Sequence, residues 1–425
     1  MRVFVLSMRG EPLMPCKCAK ARHLLKDGKA FVACMSPFTI QLKIATGENR
    51  QPITPGIDPG AKAIGLSAST EKAELYSAEV EVRQDISRLI SDRRELRRAR
   101  RSRKTRYRAP RFSNRVRSRN KGWLAPSVEH KVATHLACVG KILQILPVTT
   151  IVYEEARFDI QRLQNPEIAG IEYQNGPQRG FDNVRACVLD RDGSACQHCH
   201  GKSKDPRLHV HHLQSARTGG DAPNNLITLC TTCHKALHAG TIRLKRTRGR
   251  SYKGAAHVNI LRKAIVQRLK AAHPELEIRT TCGYITKRTR QEYGIARSHR
   301  ADAFCIAGNM GATRLDVCSF QKQIRRHNRK IHKLTISRGG KRKLHQAPYE
   351  VEGFRLFDKV LCEGNVGFIL GRRTSGSFPH YSFKVCTLDG TVLSKSIHCR
   401  KLRLLERRTT FLTEVRYGGG ASSPR

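Results

Sequence analysis

Between positions 209 and 238 the chain reads "HVHHLQSARTGGDAPNNLITLCTTCHKALH", which crowds five histidines and two cysteines into one short window. Cys230 and Cys233 form a C-x-x-C pair, and a second pair, Cys196 and Cys199, lies upstream at zinc-ribbon spacing. Four thiolates satisfy tetrahedral zinc and leave no open position for water or substrate, so this set reads as structural. The histidines are then left over. His211 and His212 are adjacent, and neighbours on a strand point to opposite faces, so one can bind a cation while the other faces a water molecule. His234 and His238 are four apart and share a helix face, which suits a pair of metal ligands. The competing reading places His211, His234 or His238 in the zinc site or on ordinary polar surface, and His198 and His209 read as surface residues.

The order of these parts resembles an HNH, or ββα-metal, nuclease: a His-His pair ending a strand, a Gly219-Gly220 turn, "NNL", then histidines on a helix. Phosphodiester hydrolysis needs a base near neutral pH and a cation to absorb charge on the leaving oxygen. His212 is the expected base. His211, His234 and His238 are the expected ligands of one catalytic magnesium, and Asn225 is expected to hydrogen-bond the loop that holds the His212 ring.

A second constellation is acidic. Asp58 ends one apolar run and Glu154 another, and Asp302 follows His299 by three residues in "SHRAD". Residues i and i+3 share a helix face, so His299 can activate water while Asp302 binds metal. Carboxylates brought together from distant segments can bridge two magnesium ions that clamp the attacking and leaving oxygens. Taken singly, Asp58 before Pro-Gly is as often a turn residue, and a lone helical histidine is usually structural. Glu155 competes with Glu154, although the buried pattern "IVYE" favours Glu154.

These residues need a scaffold. "QPITPGIDPGAKAIGLSAS" predicts a strand ending at Asp58, a Pro-Gly turn and a second strand over 61–69. "ILPVTTIVYEEARFD" predicts a helix end, a proline break and a buried strand over 150–153 that delivers Glu154. "ELEIRTTCGYIT" predicts another strand and "HRADAFCIAGNM" a helix. Between the first two blocks, positions 87–119 are dense in arginine, and Leu89, Ile90, Leu96 and Ala99 are too few to give that helix an apolar face. Arginines on every side suit phosphate contact, through Arg93, Arg94, Arg97, Arg98, Arg100, Arg101, Arg103 and Lys104, better than a solvated face. Pro110 is expected to end the helix.

Composition agrees, since 80 Lys+Arg against 34 Asp+Glu leave a net charge of +46 on 425 residues. Such self-repulsion calls for a polyanionic partner, and nucleic acid gains counterion release with every phosphate neutralised. An anionic membrane fits poorly, because no apolar run approaches the ~20 residues of a spanning helix. Fifteen cysteines, an odd number lying partly in close C-x-x-C pairs, with no export signal evident, point to thiols in a reducing cytoplasm.

The sequence of parts resembles one family, IscB, the transposon-encoded RNA-guided nucleases similar to a compact ancestor of the type II CRISPR effector. The resemblance is carried by "GEPLMPCKCAKARHLLKDGKA", "GIDPG", the arginine-rich bridge, "IVYEEARFD", the His/Cys module and "SHRADAF". It implies an α/β multidomain protein with an RNase H-like (RuvC) domain split into three segments. The implied divisions are a PLMP-type domain at 1–50, RuvC-I at 51–84, a bridge helix at 85–120 and RuvC-II at 121–160. A linker at 161–181, the HNH domain at 182–240 and a second linker at 241–257 come next. RuvC-III at 258–314 and a C-terminal β-rich region at 315–425, read as a small barrel, complete the chain. It further implies cleavage of double-stranded DNA beside a short adjacent motif, directed by an omega guide RNA, in a monomeric ribonucleoprotein. Magnesium would serve both nuclease sites, two ions at the RuvC site and one at the HNH site, with zinc on the cysteines. Two other readings remain: a direct-reading HNH endonuclease of restriction or homing type, and a non-catalytic nucleic-acid-binding protein with structural zinc.

Overall fold

The computed structural model describes residues 2–47, 49–102, 122–155, 183–215, 221–245, 253–325, 334–335, 343–344, 349–375 and 380–417. The chain forms two compact units, Met1–Ala156 with Ile260–Arg425, and Arg157–Asn259. The larger unit is thus interrupted by the smaller, as the insertion expected from sequence requires. Among the described residues no helix is long and apolar enough to cross a membrane.

The larger unit is organised on a seven-stranded sheet. Its order is Glu277–Thr281, Thr150–Glu154, Thr54–Pro59, Ala63–Ser69, Glu74–Glu81, Val317–Gln323, Phe411–Tyr417. The three strands from Thr54 to Glu81 form an antiparallel meander. Thr150–Glu154 and Glu277–Thr281 then add in parallel on its Thr54–Pro59 side. Strands buried on both faces read as near-continuous apolar runs, which is why "ITPGIDP" and "TTIVYE" were visible. One face carries Ile57, Leu66, Ile151 and Tyr153, which share a core with Val132, Val139 and Ile142 of helix Pro126–Ile145 and with Leu261 and Ile265 of helix Lys253–Ala272.

The other face meets helix His299–Ala307 at unusually short range, and two glycines explain how. A Cβ on Gly56 would lie 2.0 Å from the Ala303 carbonyl oxygen, and one on Gly65 would lie 1.9 Å from that of His299. Gly65 is the register partner of Asp58. The missing side chains therefore let the helix settle onto the strands where Asp58 stands. Ser298 caps it, accepting from Ala301 N–H, so the helix begins at His299 and its first turn faces the strand ends.

Around this sheet lie smaller parts. Arg2–Leu6, Pro12–Lys17, Ala30–Met35 and Phe38–Leu42 form an N-terminal four-stranded sheet with helix Cys18–Lys26. Helix Ile86–Ser102 is the arginine-rich segment; its expected continuation to Pro110 lies outside the described residues. The C-terminal region corrects the sequence reading twice. Val317–Gln323 and Phe411–Tyr417 belong to the central sheet, so the region after position 315 begins and ends inside the larger core. Between them, Val392–His398, His380–Cys386, Asn365–Ser375, Lys359–Cys362 and Leu402–Glu406 form an antiparallel sheet of linear order where a barrel was expected.

The smaller unit contains helix Val184–Arg191, strands Leu208–His212 and Leu226–Cys230, and helix Thr231–His238, a β-β-α run around Cys196, Ile227, Leu229, Cys230 and Cys233. The linker expected at 161–181 lies outside the described residues. Much of the one expected at 241–257 does too, and its end is already helical from Lys253.

Candidate active sites

In the smaller unit the two strands pair antiparallel, with Ile227 opposite His211 and Leu226 opposite His212. Cys230 ends the second strand and caps the following helix, its Sγ accepting from Cys233 N–H. This junction places the helix beside the strand that bears the histidines. The ligand atoms of His211, His234 and His238 lie within 4.8 Å of one another, and those of Cys196, Cys199, Cys230 and Cys233 form a second such set. Strand alternation and the i,i+4 spacing thus bring together the two sets read from sequence and keep them distinct. Burial and neighbouring histidine charge hold His211 and His234 below the usual imidazole range. Both are therefore neutral at physiological pH, the form that ligates metal.

His212 faces away from that cluster. Its Nε2 lies 2.9 Å from Asp221 Oδ1. Asn225, 0 % exposed, clasps the residue two beyond His212. Its Oδ1 accepts from Gln214 N–H at 2.9 Å and its Nδ2 donates to the Gln214 carbonyl at 2.8 Å. The ring is thereby held from two sides, by Asp221 directly and by Asn225 through the backbone.

Four sulfurs with a Cys199–Cys230 separation of 3.8 Å fit tetrahedral zinc. The histidine set fits a divalent cation too, but not the expected magnesium best. Magnesium prefers oxygen ligands, whereas three imidazole nitrogens suit zinc, nickel or iron. Sequence reasoning also undervalued two residues. His209 stacks on His234 with ring centroids 5.2 Å apart, and His198 Nδ1 lies 3.6 Å from Cys233 Sγ. For His209 the signal was its i,i+2 spacing from His211, which puts both on one strand face.

In the larger unit Asp58 and Glu154 end neighbouring parallel strands, buried to 8 % and 7 % exposure. Glu155 is less buried, in keeping with the preference for Glu154. Helix His299–Ala307 brings His299 Nδ1 to 2.6 Å from Asp58 Oδ2. That bond raises His299 above its usual range. Burial, then the charge of Asp58, raises both Glu154 and Asp302. The three acids therefore sense one another across a desolvated space, a pattern that gathers at functional sites. They do not converge as the histidines do, because each is held by a basic side chain. Arg262 donates to Glu154 at 3.0 Å, Arg290 is ion-paired with Asp302 at 2.9 Å, and His299 holds Asp58. Arg262 and Arg290 were not singled out from sequence.

On helix Ile86–Ser102, Arg93, Arg94, Arg97 and Arg98 are exposed, and so are Ile90 and Leu96. Arg100 and Arg101 belong to its last turn; Arg103 and Lys104 lie outside the described residues.

Residues 3–176 match the family described as RRXRR protein, and residues 196–240 match HNH endonuclease. No curated protein matches the chain. Among solved structures, Streptococcus thermophilus Cas9 in complex with the AGAA PAM is 12 % identical at a TM-score of 0.32, over 62 % of this chain and 32 % of that one. The Type II-C Cas9 enzyme from Actinomyces naeslundii is 17 % identical at a TM-score of 0.17, over 45 % of this chain and 30 % of that one. The chain spans about a third of the length of these structures.

Proposed function

We propose, on the premise of an IscB/Cas9-like compact RuvC/HNH nuclease, that this protein is an RNA-guided endonuclease cutting double-stranded DNA with two separate sites. The observation that carries the reading is the division of labour in the smaller unit. Four cysteines suffice for zinc, and a distinct set of three histidines stands beside a fourth, His212, that is free of both sets and held by Asp221. A zinc knot alone gives no reason for that arrangement.

At the HNH site His212 takes the proton of the attacking water, Asp221 and Asn225 keep the ring oriented, and His211, His234 and His238 would hold the cation. A bound divalent cation there supplies charge to the leaving oxygen. At the second site the sheet order, with Ala63–Ser69 antiparallel to its neighbours and two parallel strands added, supports the RNase H-like reading. Asp58, Glu154 and Asp302 would hold magnesium, and oxygen donors suit that ion. His299 activates water once it is neutral. The HNH site is assigned the RNA-paired strand and the RuvC-like site the displaced strand. The exposed arginines of Ile86–Ser102 take the guide or its duplex, and the region after position 315 reads the adjacent motif.

The test is to sequence RNA that copurifies with the protein and to treat the complex with ribonuclease. One discrete species, with loss of DNA cleavage on digestion, is expected. Site-specific cutting by RNA-free protein would overturn the guided reading in favour of a direct-reading endonuclease.

A further inference from the structure

Helix Gly283–Glu292 has two faces with different chemistry. Thr286 is buried and Arg290 reaches Asp302 at 2.9 Å, so one face is committed to the carboxylate site. At 100° per residue, Tyr284, Arg288, Gln291 and Glu292 fall on the opposite side, with the exposed Lys287 at its margin. All four are exposed, and Tyr284 is 71 % exposed. Scattered apolar side chains are normal on a surface. This tyrosine is placed differently, because it stands among cations on the very element whose back holds the site acid Asp302.

An exposed ring flanked by Lys and Arg is the combination that holds single-stranded nucleic acid: the ring stacks on an unstacked base and the cations follow the backbone. Paired duplex offers no free base face, so the occupant is a single strand. We propose that the outer face of Gly283–Glu292 is a landing platform for single-stranded DNA entering the carboxylate site, with Tyr284 stacking on a base and Lys287 and Arg288 holding its phosphates. The proposal rests on the nuclease reading of that site and adds the residues that deliver its substrate. The same helix then couples delivery to chemistry, since seating a strand on one face fixes Thr286 and Arg290 on the other.

The experiment uses the full chain and reads binding apart from cutting. A single-stranded DNA oligonucleotide carrying 2-aminopurine reports stacking by loss of fluorescence. Tyr284→Ala is expected to abolish the quench and weaken binding about tenfold or more, the equivalent of one stacked base at about 1.4 kcal/mol per decade. Tyr284→Phe keeps a ring and is expected to retain both. In the guide-loaded protein Tyr284→Ala should slow displaced-strand cutting and spare the RNA-paired strand. If stacking is lost in Tyr284→Ala but guided cutting is never obtained, the platform stands and the guided reading falls. An unchanged quench in Tyr284→Ala, equal loss in Tyr284→Phe, or stronger quenching by an RNA oligonucleotide of the same sequence would overturn the platform.

Discussion

His212 and Asp58 carry the sharpest expectations. His212→Ala removes the proposed base of one site and Asp58→Ala a proposed metal-holding carboxylate of the other. Each variant should therefore nick supercoiled target on a different strand, and the double variant should bind without cutting. Strand-labelled duplex on a denaturing gel reads both results; His212→Ala cutting both strands at the parental rate would return the histidines to a purely structural role. Asp221→Asn tests the held imidazole. Partners that orient a functional histidine are worth roughly 10- to 100-fold, so single-turnover cleavage of the RNA-paired strand should fall by about that factor with target affinity unchanged. The two metal sets should also separate. Chelation should stop cleavage while zinc, counted by mass spectrometry, stays bound, and a cation that accepts imidazole should restore the HNH cut at lower concentration than magnesium does. Cys196→Ser should instead unfold the smaller unit, since structural zinc binding is largely folding free energy.

At the scale of elements, helix Pro126–Ile145 carries a fully buried histidine. His135 Nδ1 donates to the Lys131 carbonyl at 2.8 Å, and burial lowers it from 6.5 to about 4. Between those values the unfolded chain binds a proton that the folded chain refuses. Stability is thus complete above pH 6.5 and is lost as pH falls towards 4, by up to about 3 kcal/mol. Thermal unfolding at pH 7 and pH 5 should show this loss, and His135→Asn, whose amide can replace the Nδ1 donor, should flatten the dependence. The arginine-rich helix calls for another measurement. If Arg93 and Arg97 each neutralise a phosphate, replacing either by Ala should lower the slope of log affinity against log salt by about 0.7 to 0.9, and an unchanged slope would place that residue off the nucleic acid. What could be read at this scale was local. Strand alternation separated His211 from His212, and i,i+4 spacing joined His234 to His238. Arg262 stands 108 positions from its partner Glu154, and nothing near either residue announces the pair.

Across the whole molecule the same limit decides what the sequence concealed. Val317–Gln323 and Phe411–Tyr417 join the central sheet through backbone hydrogen bonds, which any side chain permits, so no local pattern distinguishes them from strands of the neighbouring C-terminal sheet. The insertion, by contrast, was legible because its cysteines and histidines form a self-contained module. That difference has a consequence in time. A ribosome adding ~5–20 residues per second delivers Asp302 roughly 10 to 50 s after Asp58, whereas every ligand of the smaller unit emerges within one short stretch. The nascent chain therefore completes its histidine site early. By then Thr150–Glu154 has already emerged to pair with Thr54–Pro59, and the carboxylate site stays unfinished only until helix His299–Ala307 settles onto Gly56 and Gly65. A newly made molecule gathers its candidate metal-ligating histidines before its carboxylates.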